Sequence, residues 1–216
     1  MRKAILAGST GLVGSEVLRL LRDSQEYSEI HLLLRRPLHP KHEKIKEHLI
    51  NFDELENLSF EYKIDDFYCA LGTTMKKAGS KQNFRKVDYD YIVNLGKVAI
   101  NLNVKNFLLV SAVGADSKSA IFYSQVKGET EDALKDLILN GLYIFRPSLI
   151  YGERNETRYT EKIGFYTLNI LSPIMIGPLK KYRAVSGMQI AKAMLQHALN
   201  KDEKVKIIES DEIIEY

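Results

Sequence analysis

The run Ala7-Gly8-Ser9-Thr10-Gly11-Leu12-Val13-Gly14 follows a short apolar stretch and opens a helix-period segment, and that order constrains the fold more than any other feature of the chain. Lys3–Ala7 reads as a buried strand. Gly11–Arg22 reads as a helix with Leu12, Val13, Val17, Leu18 and Leu21 on its inner side. Each glycine has a separate steric reason. Gly8 suits the tight turn, Gly11 lets backbone approach a pyrophosphate, and Gly14 lets the helix pack closely on the strand. Free N–H groups and the helix dipole at the start of the helix favour an anion there. The whole turn, Gly8, Ser9, Thr10, Gly11, Leu12, Val13 and Gly14, is therefore the expected phosphate cradle of a dinucleotide.

The rest of the chain repeats the alternation of strand and helix. Glu29–Leu34, Ile45–Phe52, Phe67–Leu71, Asn106–Ser111, Leu142–Phe145 and Val205–Glu209 read as strands. Asp88–Leu102, Phe122–Leu139 and Gly187–Ala198 read as helices. This alternation predicts an α/β fold: a Rossmann-type, doubly wound parallel sheet covered on both faces. The 216 residues suit a single domain, 1–216, with a small C-terminal cap region. Residues 148–185, which open with the irregular stretch Ser148–Arg158, are expected to contribute the small substrate-side segment. Within it, the apolar stretch Phe165–Leu179 reads as core or pocket wall.

The end of the second strand bears on cofactor choice. NAD binders usually carry a carboxylate there for the ribose 2′-hydroxyl. Here the order is Leu34-Arg35-Arg36-Pro37. Two guanidinium groups suit a 2′-phosphate, so NADP(H) is the expected cofactor. A second pattern, Tyr123-Ser124-Gln125-Val126-Lys127, places Tyr123 and Lys127 four apart on one helix face. The spacing alone means little in a chain with 12 tyrosines. It gains weight from Ser111, which ends the strand before that helix. A nearby ammonium favours the phenolate, so Tyr123 could exchange a proton with a carbonyl or alcohol oxygen while Ser111 holds that oxygen.

Taken together, these segments resemble the short-chain dehydrogenase/reductases. More narrowly, they resemble the atypical branch that contains the Tat-interacting tumour-suppressor oxidoreductases and their bacterial relatives. The most specific matches are Leu109-Val110-Ser111-Ala112-Val113-Gly114-Ala115 and the run from Arg146-Pro147-Ser148 through Gly152-Glu153-Arg154 to Arg158. The resemblance implies Tyr123 as proton donor, Lys127 as its partner and Ser111 as oxygen holder. It implies Arg35 and Arg36 on the 2′-phosphate, with Leu71 and Gly72 on the adenine-ribose side. Ile150 and Arg158 would reach the cofactor from the late loop. Two departures stand out. Extended members of the superfamily often carry Asn where this chain has Asp88, and they have a larger C-terminal substrate domain.

Other classes are disfavoured. The chain has 31 basic and 28 acidic residues, a net charge of +3, and no long basic stripe, so a nucleic-acid partner is not expected. Cys69 is the lone cysteine and sits in an apolar run, which suits a buried structural thiol. The five histidines show no metal-ligand spacing, and no metal site is expected. No stretch reaches the roughly 18 apolar residues of a membrane span, and no secretory leader is evident, so a cytoplasmic location is expected. The expected ligand is a small carbonyl or alcohol substrate, and a homo-oligomer stays open. Two functions compete: an NADP-dependent oxidoreductase, and an NADP(H)-binding sensor acting through a protein partner.

Overall fold

The computed structural model describes residues 1–38, 42–58, 60, 63–152, 177–200 and 204–216. Strand β1 (Arg2–Ala7) leads through the glycine turn into α1 (Leu12–Asp23), then β2 (Tyr27–Leu34), β3 (Ile45–Leu49) and β4 (Asp66–Cys69). Two one-turn helices, α2 (Met75–Ala78) and α3 (Lys81–Arg85), precede α4 (Tyr91–Asn101). Next come β5 (Asn106–Val110), α5 (Phe122–Asp136), β6 (Leu142–Arg146) and the two-residue strands β7 (Ile150–Tyr151) and β8 (Val185–Ser186). Helix α6 (Gly187–Leu199), strand β9 (Val205–Glu209) and α7 (Ser210–Ile213) complete the chain.

Seven strands form one sheet in the order β3-β2-β1-β4-β5-β6-β9, and every adjacent pair is parallel. The predicted doubly wound architecture is the one observed. Alternation along the strands splits the core in two. Leu6, Leu32, Tyr68, Leu108 and Phe145 face α1 and α6, together with Val17, Leu21, Ile190 and Met194. Ile5, Leu33, Phe67, Leu109 and Ile144 face the other way, onto Ile92, Leu95, Val98 and Leu134 of α4 and α5. Burial of a large apolar side chain stabilises by about 1.5–3 kcal/mol, so each face holds its helices by packing. The capping box at the start of α6, in which Ser186 and Gln189 exchange hydrogen bonds, adds a local stop signal.

Three features went unforeseen. β7 and β8 pair in parallel as a separate small sheet, bringing residues 150–151 beside 185–186. Between α3 and α4, Lys86–Asp90 forms a π-turn rather than α-helix. At the N-terminal end of the sheet, buried Asp66 receives Arg2 (2.5 Å), Tyr27 Oη (2.7 Å) and Asn106 Nδ2 (2.7 Å). Such a cluster pins β1, β2, β4 and β5 together at the end opposite the glycine turn.

Candidate active site

The glycine turn has the geometry its sequence requires. Gly8 adopts φ +88°, and a Cβ there would lie 2.5 Å from the Ala70 carbonyl oxygen. A Cβ on Gly14 would lie 2.0 Å from the Gly8 oxygen, so this position excludes any side chain. Gly11 caps α1 without a side-chain hydrogen bond, and no acidic residue stands in the first turn. The opening N–H groups therefore face outward with their partial positive charge uncompensated. Ser9 is buried, and its hydroxyl has no hydrogen-bond partner among the described residues. A buried hydroxyl without a partner costs free energy unless a ligand satisfies it.

A cavity of about 550 Å³ opens beside this turn. Gly8, Ser9 and Thr10 line one side, Arg35 and Arg36 another, and Phe52 and Leu71 close it. Both arginines are exposed and have no ion-pair partner among the described residues. Leu12 and Val13 begin α1. Leu12 lies against Gly152 and Gly187, which ties the turn to the late loop and α6. Ile150 sits in β7, packed on the core face that α1 covers. Arg158 and most of Phe165–Leu179 lie outside the described residues. The cavity suits a dinucleotide: a glycine turn that backbone can approach, a buried Ser9 hydroxyl and two arginines, these three side chains without a hydrogen-bond or ion-pair partner among the described residues.

Helix α5 brings Tyr123 and Lys127 together. Tyr123 is 39 % exposed and rests on Phe84, with ring centroids 5.6 Å apart. Lys127 is buried, and its Nζ lies 2.7 Å from Asp88 Oδ1. Burial alone would lower the pKa of that ammonium. The Asp88 carboxylate and the nearby Tyr123 oxygen outweigh it, and the Lys127 pKa lies above the usual lysine value. Asp88 Oδ2 also accepts from the Thr73 amide (2.8 Å). Gly72 lies against this pair: a Cβ there would be 3.3 Å from Asp88 Oδ1. Cys69 is buried beside them, and burial pushes its thiol up to about 12.

Ser111 is placed differently from Tyr123 and Lys127. Its hydroxyl donates to Glu131 Oε1 at 2.5 Å. Glu131 is fully buried and also receives Arg146, whose Nη2 lies 2.5 Å from Oε2. Arg146 reaches on to Glu209 at 3.0 Å, and the two carboxylates hold its pKa above the usual arginine value. Glu131 lies eight residues beyond Tyr123, about 12 Å along the helix axis. The serine proton is thus committed to a buried ion pair. Sequence reasoning did not find the Lys127–Asp88 or Ser111–Glu131 pairs. Asp88 had signalled itself only as a departure from a family pattern.

The HIM1 family model matches residues 22–179. The chain belongs to the HIM1 family. Its relatives include the FMP52 protein of Meyerozyma guilliermondii, 38% identical over 156 residues, covering 70% of this chain and 66% of that one. The fmp52 protein of Aspergillus niger is 31% identical across 100% of this chain and 98% of its own length. Rat HTATIP2 is 31% identical over 73% of this chain and 66% of its own. Among solved structures, the Bordetella bronchiseptica enzyme WbmH in complex with NAD+ superposes with a TM-score of 0.71. It is 16% identical, with 97% of this chain and 76% of that one covered. The HIM1 chain thus belongs with HTATIP2 and the FMP52 proteins, the atypical branch that its sequence resembles, and its sheet is of the Rossmann type. No helix among the described residues is long and apolar enough to cross a membrane.

One expectation is corrected. The FMP52 relatives are named mitochondrial proteins, and that points away from the cytoplasm. The cytoplasmic expectation rested on the lack of a secretory leader and of a membrane span, and neither feature separates cytosol from mitochondrion.

Proposed function

We propose that this HIM1 chain is an NADP-dependent oxidoreductase that moves hydride to or from a small carbonyl or alcohol substrate. The observation that carries the reading is the single cavity shared by the glycine turn and the Arg35–Arg36 pair. An anionic pyrophosphate fits the turn, and a 2′-phosphate fits the two guanidinium groups at the end of β2. The cofactor supplies the hydride chemistry when bound. The chain's own contribution is proton handling and orientation. Tyr123 holds the proton exchanged with the substrate oxygen, and Lys127 fixes the charge next to it. Residues 148–185 would border the substrate side, in one domain spanning 1–216. The likeness to the WbmH chain, of which 76% is covered, is one of fold only.

The test is Tyr123→Phe, which removes one hydroxyl and keeps the ring on Phe84. NADPH consumption should be followed with a panel of aldehydes, ketones and quinones. Turnover should fall by roughly 10²–10⁴-fold, the usual scale for a positioned acid or base, with NADPH affinity preserved. Undiminished turnover removes Tyr123 from the mechanism. A second reading, an NADP(H) sensor acting through a protein partner, draws support from Ser111. A serine hydroxyl that already donates its hydrogen bond to Glu131 has no second hydrogen to offer a substrate oxygen. Tight NADPH binding without turnover across the panel would favour the sensor.

A further inference from the structure

We propose that residues 74–87 form a basic arm that reads an oxyanion on the substrate, so that the carbonyl or alcohol compound handled at Tyr123 is an organic acid. The inference rests on the oxidoreductase reading above and adds the substrate class. Between Asp66 and Asp88 the chain carries no acidic residue, yet it carries Lys76, Lys77, Lys81, Arg85 and Lys86. This run is folded rather than loose. Helices α2 and α3 take their caps from Thr74 and Ser80, and Asn83 Nδ2 donates to the Ala78 carbonyl oxygen at 3.0 Å across the bend between them. The residues flanking the arm are tied to each other: the Thr73 amide, just before it, donates to the Asp88 carboxylate, just after it, at 2.8 Å. The arm therefore leaves the site and returns to it at one point.

Its inner side rests on the start of α5. Phe84 is fully buried against Tyr123 and Phe122, with ring centroids 5.6 and 5.8 Å away. The Lys81 ammonium stands 5.1 Å from the centre of the Phe122 ring, a cation–π contact that holds the charge beside Tyr123. Two of the five charges are answered within the fold, Lys86 by Asp53 at 2.7 Å and Arg85 by Glu129. Lys76 and Lys81 are exposed and have no carboxylate partner among the described residues. The cofactor's own anions have other places. The pyrophosphate fits the turn after β1 and the 2′-phosphate the arginines after β2, whereas the arm follows β4, on the other side of β1. Neither lysine lines the cavity that holds those arginines. Positive charge of one sign at the mouth of a site draws in an anion, and ammonium groups hold carboxylate or phosphate oxygens by charge-assisted hydrogen bonds. Met75, next to Lys76, and Ile121, next to Phe122, are both exposed and offer apolar contact to the carbon body of such an acid.

The experiment compares two probes of one shape, 4-carboxybenzyl alcohol and benzyl alcohol, in ¹H–¹⁵N NMR titrations of the whole chain with excess NADP+ present. The acid should bind at least roughly tenfold more tightly than the neutral alcohol, with its largest amide shifts in 74–87. Lys76→Gln combined with Lys81→Gln should bring the two dissociation constants within about threefold of each other. If that variant does not fold, Lys81→Gln alone should reduce the preference at least about threefold. Equal binding of both alcohols by the parent overturns the proposal, and so does a preference that survives the substitutions. Glu153, Glu156 and Glu161 lie outside the described residues, and a carboxylate of theirs seated on the lysines would give the first of those results. Shifts centred on Gly8–Gly14 or on Arg35 and Arg36 overturn it too, because the acid would then occupy the cofactor's anion sites. The oxidoreductase reading is judged apart, by NADPH consumption with 4-carboxybenzaldehyde and the neutral panel. Binding of the acid at 74–87 without turnover of any aldehyde would defeat that reading and leave the anion site standing.

Discussion

Arg35 and Arg36 stand exposed at the rim of a cavity whose opposite wall is the glycine turn, and neither has an ion-pair partner among the described residues. Charge-assisted hydrogen bonds contribute about 1.5–3 kcal/mol, less where water competes. Changing both to Ala should weaken NADPH at least roughly tenfold and leave NADH nearly unchanged. Calorimetric titration of both cofactors checks this, and tighter NADH than NADPH in the parent would defeat the assignment. At this scale the sequence was informative where a residue type has a single steric reason. Gly8 and Gly14 are such positions, because a Cβ at either would strike backbone. The sequence was silent where a role depends on a distant partner. Nothing local tells that Lys127 meets Asp88, 39 residues earlier, or that the Ser111 hydroxyl donates a hydrogen bond to Glu131, 20 residues later.

The elements carry their own tests. Ile138 follows the C-cap of helix α5, has φ +51° and is 74 % exposed. A β-branched residue in the left-handed region is strained, and this position after a helix usually holds glycine. Ile138→Gly should stabilise by about 1 kcal/mol, relief of roughly 1–2 kcal/mol being partly offset by glycine's chain entropy. The melting temperature should rise by about 2–4 °C, and a fall would show that the Ile138 side chain contributes more than its strain costs. On the outer strands, His31 Nδ1 lies 2.9 Å from His48 Nε2, with Glu29 3.3 Å from the other ring nitrogen and Lys3 beside Glu29. Burial, then the neighbouring His48, lowers His31 to about 4. The unfolded chain therefore binds the proton first, and stability held above about pH 6.5 is lost as pH falls towards 4. Urea midpoints at pH 7.5 and 4.5 should drop less in His31→Gln than in the parent, a difference on the order of 2 kcal/mol. An equal drop would relieve His31 of that role. The strands themselves were legible as continuous apolar runs. The π-turn Lys86–Asp90 was not, because its extra residue within an otherwise helical stretch leaves no mark on apolar spacing.

Across the whole molecule, the sheet has two dissimilar ends. The carboxyl ends of β1, β2 and β4 lead into the cavity and the Lys127–Asp88 pair. At the amino ends, Asp66 gathers Arg2, Tyr27 and Asn106, and burial raises the Tyr27 and Tyr68 hydroxyls well above the ordinary tyrosine value. Removing one member of a buried, hydrogen-bonded pair costs about 3–5 kcal/mol. Asp66→Ala should lower the urea midpoint accordingly, with NADPH affinity of the folded fraction unchanged. Loss of affinity in step with stability would mean that the two ends communicate.

Strand β4 links these ends with only four residues, Asp66 to Cys69, roughly 10 Å of extended chain. That distance is at the limit beyond which substitutions cease to feel each other. Substitutions around Lys127 and around Asp66 should therefore act close to additively on stability.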